Sequence, residues 1–298
     1  MDSQIAQLSE SLVDELVGAV GLPKTRLTHA LFWSLFRRIT HRLAVLGVTF
    51  DQKVRDEGIP AASAWGLTHF CHPVLVRGTE HIPSAGPLLV ATNHPGTYDG
   101  LVLFAHLSRQ DIRWISSEIP FFDLLEQARE HILFASREDS TDRMLVMRNA
   151  VRHLRQGGVL VYFAAGHREP DLATYHGAEE SMDAWLDVFD IFYKYVQGLK
   201  VLPTIVSGVI SPYWAYHPIT WLRRKQIDKQ RLAEFGQVIT QLLHPGRLMI
   251  SPAVSFGMPF TESDLRQDVG DGKLFPAVIA RGKSLLREHC KEFGGYIE

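Results

Sequence analysis

From Pro73 onward, short apolar runs alternate with amphipathic stretches, and each switch falls at a glycine, proline or asparagine. The runs are PVLVRG, PLLVATN, IRWISSE, ILFAS, GVLVYFAAG, KVLPTIVSGVIS and RLMISPAVSF. Short apolar runs bounded by turn residues read as strands. Helical candidates between them begin near Asp99, Phe121, Thr141, Glu179 and Asp228. In the clearest, DSTDRMLVMRNAVRHLRQGG, a mostly apolar stripe runs through Leu145, Val146, Asn149, Val151 and Leu154. Asp139 or Ser140 can cap that helix and Gly157 can end it. This alternation predicts an α/β fold: a mixed, largely parallel sheet flanked by helices. Such sheets bind ligands at the carboxyl ends of their strands, where His94, Arg137 and Gly166 fall.

Ahead of the alternating part, residues 1–70 read as an N-terminal helical segment, leaving 71–298 as the α/β part. LTHALFWSLFRRITHRLAVLGVTF sets Leu31, Phe32, Leu35, Phe36, Ile39, Leu43 and Leu46 at helical spacing, with Arg37, Arg38, His41 and Arg42 on the other face. Such a stripe either packs on the α/β part as core or lies in the plane of a membrane interface. YWAYHPITWLRRKQ leaves the same choice: Tyr213, Trp214, Tyr216 and Trp221 beside Arg223, Arg224 and Lys225 suit an anionic membrane surface, or else a solvated loop with a few buried rings.

With 298 residues, 46% of them hydrophobic, the chain can bury a sizeable core. A net charge of -2 gives no reason to expect nucleic-acid binding. Cys71 and Cys290 lie far apart and in no ligand spacing, which fits a reducing compartment. The acidic N-terminus is unlike a signal peptide, and no uninterrupted apolar stretch reaches about 18 residues. These features predict a cytoplasmic protein, with peripheral attachment to the cytoplasmic face of a membrane as the alternative.

LLVATNHPGTYDG carries the chemistry. An apolar run ends in Asn93-His94-Pro95-Gly96, and Asp99 follows five residues after the histidine. A strand-turn-helix junction at that spacing can return Asp99 to one imidazole nitrogen, leaving the other to take a proton from a substrate hydroxyl. The alternative is a solvated turn histidine with Asp99 as a helix N-cap. Other motifs are missing: GDGK at 270–273 lacks P-loop spacing, no His-Glu-x-x-His pair or Cys/His ligand spacing suggests a metal, and no Gly-x-Ser-x-Gly elbow suggests a serine hydrolase.

VLVRGTEHIPSAGPLLVATNHPGTYDG resembles the opening of the phospholipid/glycerol acyltransferase family, which includes lysophosphatidic acid and glycerol-3-phosphate acyltransferases. Both the Gly-x-Glu-x-Ile-Pro-x-x-Gly-Pro lead-in, Gly78 to Pro87, and the His-x4-Asp motif, His94 to Asp99, are present. The resemblance continues in order through IRWISSEIPFF, HILFASRED, LRQGGVLVYFAAGHRE and KVLPTIVSG, covering roughly residues 72 to 212 by these motifs. It implies a general base, His94, oriented by Asp99. It also implies substrate-binding roles for Arg137, Gly166, Arg168 and Pro203, the arginines holding anionic groups and the segment of Pro203 lining the acyl pocket or supporting the base. The family's Phe-Pro-Glu-Gly-Thr-Arg block is Phe163-Ala164-Ala165-Gly166-His167-Arg168 here. The lost glutamate, at Ala165, would have accepted hydrogen bonds from the acyl acceptor. Glu169 lies on the wrong side of Gly166 to be assumed a substitute.

The resemblance implies phospholipid biosynthesis: transfer of a fatty acyl group from acyl-CoA or acyl carrier protein, as co-substrate, to a hydroxyl of a glycerol-phosphate or lysophospholipid-like acceptor. No cofactor and no metal are implied. Backbone donors near Gly96 or Gly166 are the expected oxyanion stabilisers. The altered third block also admits a catalytically weak lipid- or acyl-carrier-binding protein of the same fold, or a thioesterase.

Overall fold

The computed structural model describes residues 2–296 apart from 20–22, 24 and 136–139. All seven apolar runs are strands: β1 (Leu75–Arg77), β2 (Leu88–Thr92), β3 (Ile112–Ser116), β4 (Ile132–Phe134), β5 (Val159–Phe163), β6 (Lys200–Ser207) and β7 (Ala253–Phe256). They form one sheet in the order β1-β7-β6-β2-β5-β3-β4. Every pairing is parallel except β6 with β7, so β1 and β7 run opposite to the other five.

Helices cover both faces. The N-terminal segment supplies α1 (Asp2–Ala19), α2 (Arg26–Glu57) and α3 (Ile59–Leu67). The α/β part adds α4 (Asp99–His106), α5 (Glu126–Arg129), α6 (Ser140–Arg155), α7 (Ala178–Ser181), α8 (Phe189–Tyr195), α9 (Pro212–Ala215), α10 (Gln226–Leu243), α11 (Glu262–Val269) and α12 (Phe275–Phe293). The candidates near Phe121 and Glu179 yield only short turns, a 3₁₀ turn over Pro120–Leu124 before α5 and another over Met182–Ala184 after α7.

Strand β2 lies between β5 and β6 and is buried along its whole length. Leu88 and Val90 pack with Val102 and Leu103 of α4 and Ala233 of α10. Leu89 and Ala91 face the other way, into a core with Ala150 of α6, Phe189 of α8 and Leu286 of α12. A strand covered on both faces reads as continuously apolar, which is why LLVAT was legible. Helix α6 is rotated relative to the expected stripe: Val146, Ala150 and Leu154 are buried, whereas Leu145 is 49% exposed. The expected caps do not enter this account: Asp139 lies outside the described residues, and so does the Ser140 side chain.

The α2 stripe divides. Phe32 and Ile39 are buried and Phe36 and Leu43 pack against core, while Leu27, Leu31 and Leu35 point outward, Leu27 at 80% exposure. Arg42 is not left free on the helix surface, since its guanidinium donates to the Leu242 and Leu243 carbonyls at the C-terminal end of α10.

Pro203 is not on an edge strand. It sits within central β6, where the ladder to β7 slips by one residue between the Thr204–Phe256 and Val201–Phe260 pairings. A bulge tolerates the missing N–H. The Gly257 amide donates to the Pro203 carbonyl, and a Cβ on Gly257 would lie 2.9 Å from the proline ring.

Candidate active site

Strands β2, β5 and β6 end side by side, and the loops leaving them form the site. His94 stands just past β2 on the turn into α4, with its side chain 27% exposed. Asp99 opens α4 and is 3% exposed. His94 Nδ1 and Asp99 Oδ2 are 2.7 Å apart. The neutral tautomer therefore carries its proton on Nδ1, donated to the carboxylate, which leaves Nε2 as the basic nitrogen. Asp99 also accepts from the Gly96 amide at 3.1 Å and the Gly100 amide at 2.6 Å. The N-cap of α4 is Tyr98 and not Asp99, which is the first residue of the helix; the carboxylate instead ties the Gly96 and Gly100 amides of the turn and orients the imidazole.

Burial disfavours the charged imidazole, but the Asp99 charge and hydrogen bond outweigh it, so the His94 pKa is raised above its usual value. The ring rests against Phe163, the first residue of the third block, with centroids 4.6 Å apart.

The turn is held from several directions. The Asn93 amide makes a two-way bond with the Val206 backbone, both distances 2.9 Å, joining the end of β2 to β6. Glu169 is buried and grips His94: its carboxylate accepts from the His94 amide at 2.9 Å, and its own amide donates to the His94 carbonyl at 2.9 Å. The same carboxylate accepts from Ser181 Oγ and Trp185 Nε1. Burial raises its pKa, against the lowering effect of these donors. Glu169 thus holds the backbone of His94. Asp171, also buried, accepts from the Gly208 and Ile210 amides beyond β6, and burial pushes its pKa up to about 6.

Helix α10 supplies the other clamp through Gln230, Glu234, Gln237 and Gln241, all buried. Gln230 donates to the carbonyls of Pro95 and Glu169. Gln237 bonds the backbone of Val209 and Ser211. Gln241 accepts from the Tyr98 hydroxyl and donates to the Phe70 carbonyl. Glu234 accepts from Thr97 Oγ1 at 2.7 Å and pairs with Arg168. Burial pushes the Glu234 pKa up to about 7, against the lowering effect of Arg168. Gly96 fits between these parts, since a Cβ there would meet Val209 at 3.0 Å and Glu234 at 3.4 Å.

Of the sequence-derived site residues, His94, Asp99 and Arg168 converge here. The anion at Arg168 is a carboxylate of the chain itself. Gly166 lies on the β5 exit turn, exposed, with φ +67°. Its amide is taken by the Phe163 carbonyl and that of Gly96 by Asp99, so neither glycine's own amide is free to donate to an oxyanion. Pro203 packs against Leu285-side core on the opposite face of the sheet from Phe163. His167 is exposed and its ring bonds the Arg168 carbonyl. Arg137 lies outside the described residues. Glu169, Glu234, Thr97 and Asn93 were not anticipated. The signal for part of this was present: polar residues at 230, 234, 237 and 241 trace one helix face.

An apolar groove of about 320 Å³ reaches this cluster. Leu12, Phe36, Ile39 and Leu43 of α1 and α2 and Val238 and Leu242 of α10 form its walls, and Thr97, Arg168 and Glu234 lie at its polar end.

No curated protein matches the chain. Among solved structures, the 1-acyl-sn-glycerophosphate (LPA) acyltransferase PlsC from Thermotoga maritima aligns over 98% of this chain and 98% of its own, at 16% identity and a TM-score of 0.43. The family model described as Acyltransferase matches residues 73–207, a span that contains β1 through β6 and with them His94, Asp99, Gly166 and Arg168. Over that span the chain is similar to the Acyltransferase family.

Proposed function

We propose that the protein moves a fatty acyl group from a thioester, acyl-CoA or acyl carrier protein, to a hydroxyl of a glycerolipid acceptor such as a glycerol phosphate or lysophospholipid. The observation that carries this reading is the 2.7 Å contact of His94 Nδ1 with Asp99 at the end of the central strand. The acceptor oxygen attacks the thioester carbonyl while Nε2 takes its proton. The C–S bond then breaks, and the departing thiolate takes that proton from the imidazolium. No acyl-enzyme is formed. Arg137 is proposed to hold an anionic group of a substrate. Thiol release coupled to acylated product, measured across glycerol phosphates and lysophospholipids, tests the reading; free thiol with free fatty acid as the only product would point to hydrolysis instead.

The base works only when neutral, so kcat/KM rises with pH through the His94 pKa. Because Asp99 raises that pKa, the midpoint is expected above 6.5, the ordinary value. In Asp99→Asn the midpoint moves down as the rate falls. A midpoint that stays fixed in Asp99→Asn would show that another group sets the profile.

Peripheral membrane contact belongs to the same proposal. Among the described residues no helix is long and apolar enough to cross a membrane. Trp214 tucks against Gly236 of α10, but Trp221 and Leu222 are 74% and 77% exposed beside Arg223, Arg224 and Lys225. Basic residues near an anionic surface contribute about 1 kcal/mol each. The protein is expected to co-sediment with anionic vesicles at low salt, and Trp221→Ala with Leu222→Ala to reduce the bound fraction severalfold. Equal sedimentation of the double variant would remove this loop from the contact.

A further inference from the structure

On the face of the sheet opposite α10, helix α6 turns a basic side to solvent. Its buried stripe is Val146, Ala150 and Leu154. On the exposed side Leu145, Arg148, Arg152 and Arg155 follow one another at steps of three and four, with Met144 beside them. The helix holds four arginines against one acid, Asp142, in a chain whose net charge is -2. Arginines of α11 and α12 have carboxylate partners: Arg266 with Glu262, Arg281 with Asp268 and Arg287 with Glu179. Among the described residues no carboxylate pairs with Arg148 or Arg152, and Arg155 donates to the Tyr195 carbonyl. The helix runs back from the carboxyl end of β4 and leads into β5, whose last residue, Phe163, lies against His94. Met144 and Leu145 are thus at the end of α6 nearer the site, and one strand spacing, about 4.8 Å, separates β5 from β2.

Resting on the acyl-transfer reading above, we propose that this side of α6 is the docking surface for an acidic acyl carrier protein, which brings the acyl thioester past Met144 and Leu145 to the end of β5 beside His94. Arg148 and Arg152 meet carboxylates of the carrier, and the two apolar side chains form the dry part of the contact. Arginine and methionine are enriched where proteins meet. At 1.5 Å per residue, Met144 to Arg155 extends about 16 Å, three helical turns. That is longer than the phosphates of one nucleotide need and matches a helix of a partner protein. A bilayer fits this side less well, because a helix lying in a membrane needs a wide apolar face, and that of α6 is spent on the core. The exposed Trp221 and Leu222 stand next to α10 instead.

The test gives the full chain one acyl group on two donors, acyl carrier protein and CoA, with a lysophospholipid acceptor, and measures carrier binding separately by fluorescence anisotropy. Arg148→Glu with Arg152→Glu alters exposed side chains, so the thermal midpoint should hold. With the carrier, kcat/KM should fall about tenfold or more, the scale of lost electrostatic steering. With acyl-CoA it should stay within about twofold, as for an ordinary surface substitution. Arg148→Lys with Arg152→Lys keeps the charge and should keep most of the rate. Added salt should weaken carrier binding, because exposed charges are screened. A wild type that neither binds nor uses the carrier overturns the inference, and so does an equal response of both donors to the charge reversal. Reduced binding of the reversed variant to anionic vesicles, with carrier kinetics intact, would make α6 a membrane face and overturn it too. If neither donor yields product but the carrier binds and the reversal abolishes that binding, the transfer reading fails and the docking surface stands.

Discussion

His94→Ala is expected to remove acyl transfer by roughly 100- to 10,000-fold, the ordinary worth of a positioned general base, while leaving the thermal midpoint near that of the wild type. The imidazole is partly exposed, and the hydrogen bonds that hold the turn run through its backbone, which alanine keeps. Asp99→Asn should also lower the rate strongly. An amide facing Nδ1 can stabilise the wrong tautomer and supports the imidazolium poorly. It also weakens the grip on the Gly96 and Gly100 amides, so some loss of stability accompanies it. Near-wild-type turnover in a folded His94→Ala protein would discard the base mechanism.

The largest stability effect is expected at Glu169. Truncation to alanine removes the acceptor for the His94 amide, Ser181 Oγ and Trp185 Nε1 together and leaves a cavity. Stranded buried donors each cost about 1–3 kcal/mol, so Glu169→Ala should destabilise by about 2–4 kcal/mol after relaxation. Glu169→Gln should fall between, since one of its amide hydrogens must face a donor. The pH dependence follows from the raised pKa. A carboxyl favoured in its neutral form by folding contributes most below the unfolded value of 4.5, and that contribution is lost as pH rises through the folded pKa. Glu169→Gln should therefore flatten the stability profile above pH 4.5. Urea unfolding at several pH values measures both effects, and an unchanged midpoint in Glu169→Ala would show that the turn is held without it.

What the sequence revealed and what it hid divide along physical lines. Strands buried on both faces announce themselves as apolar runs, and all seven were legible. The His94–Asp99 pair was legible because the two stand five residues apart across one turn, even though distant groups brace that turn. Glu169 was set aside because its distance from Gly166 was judged along the chain, whereas its target is the backbone of His94 on a neighbouring strand exit. Glu234 belongs to a helix beyond the resembling blocks, and only folding shows that it meets Arg168. The stripe of α2 packs as core only in part, because a long helix can pack one side while presenting leucines on another. Which amides near Gly96 and Gly166 stay free was not legible, because partners reached only in the fold, Asp99 and the Phe163 carbonyl, engage the amides of the two glycines themselves.

The place of β7 in the sheet bears on how the molecule is made. It lies between β1 and β6 and is the partner through which β1 joins the sheet. During synthesis β1 leaves the ribosome early and waits, its edge unpaired, until residue 256 has followed; the α10 side chains that brace the His94 turn arrive only shortly before. Chains emerge at about 5–20 residues per second, and unpaired strand edges in partly made proteins invite misassembly. The nascent chain thus spends many seconds with the His94–Asp99 pair synthesised but unsupported, and activity is expected to appear as a late step, after the last strand has slid into its slot.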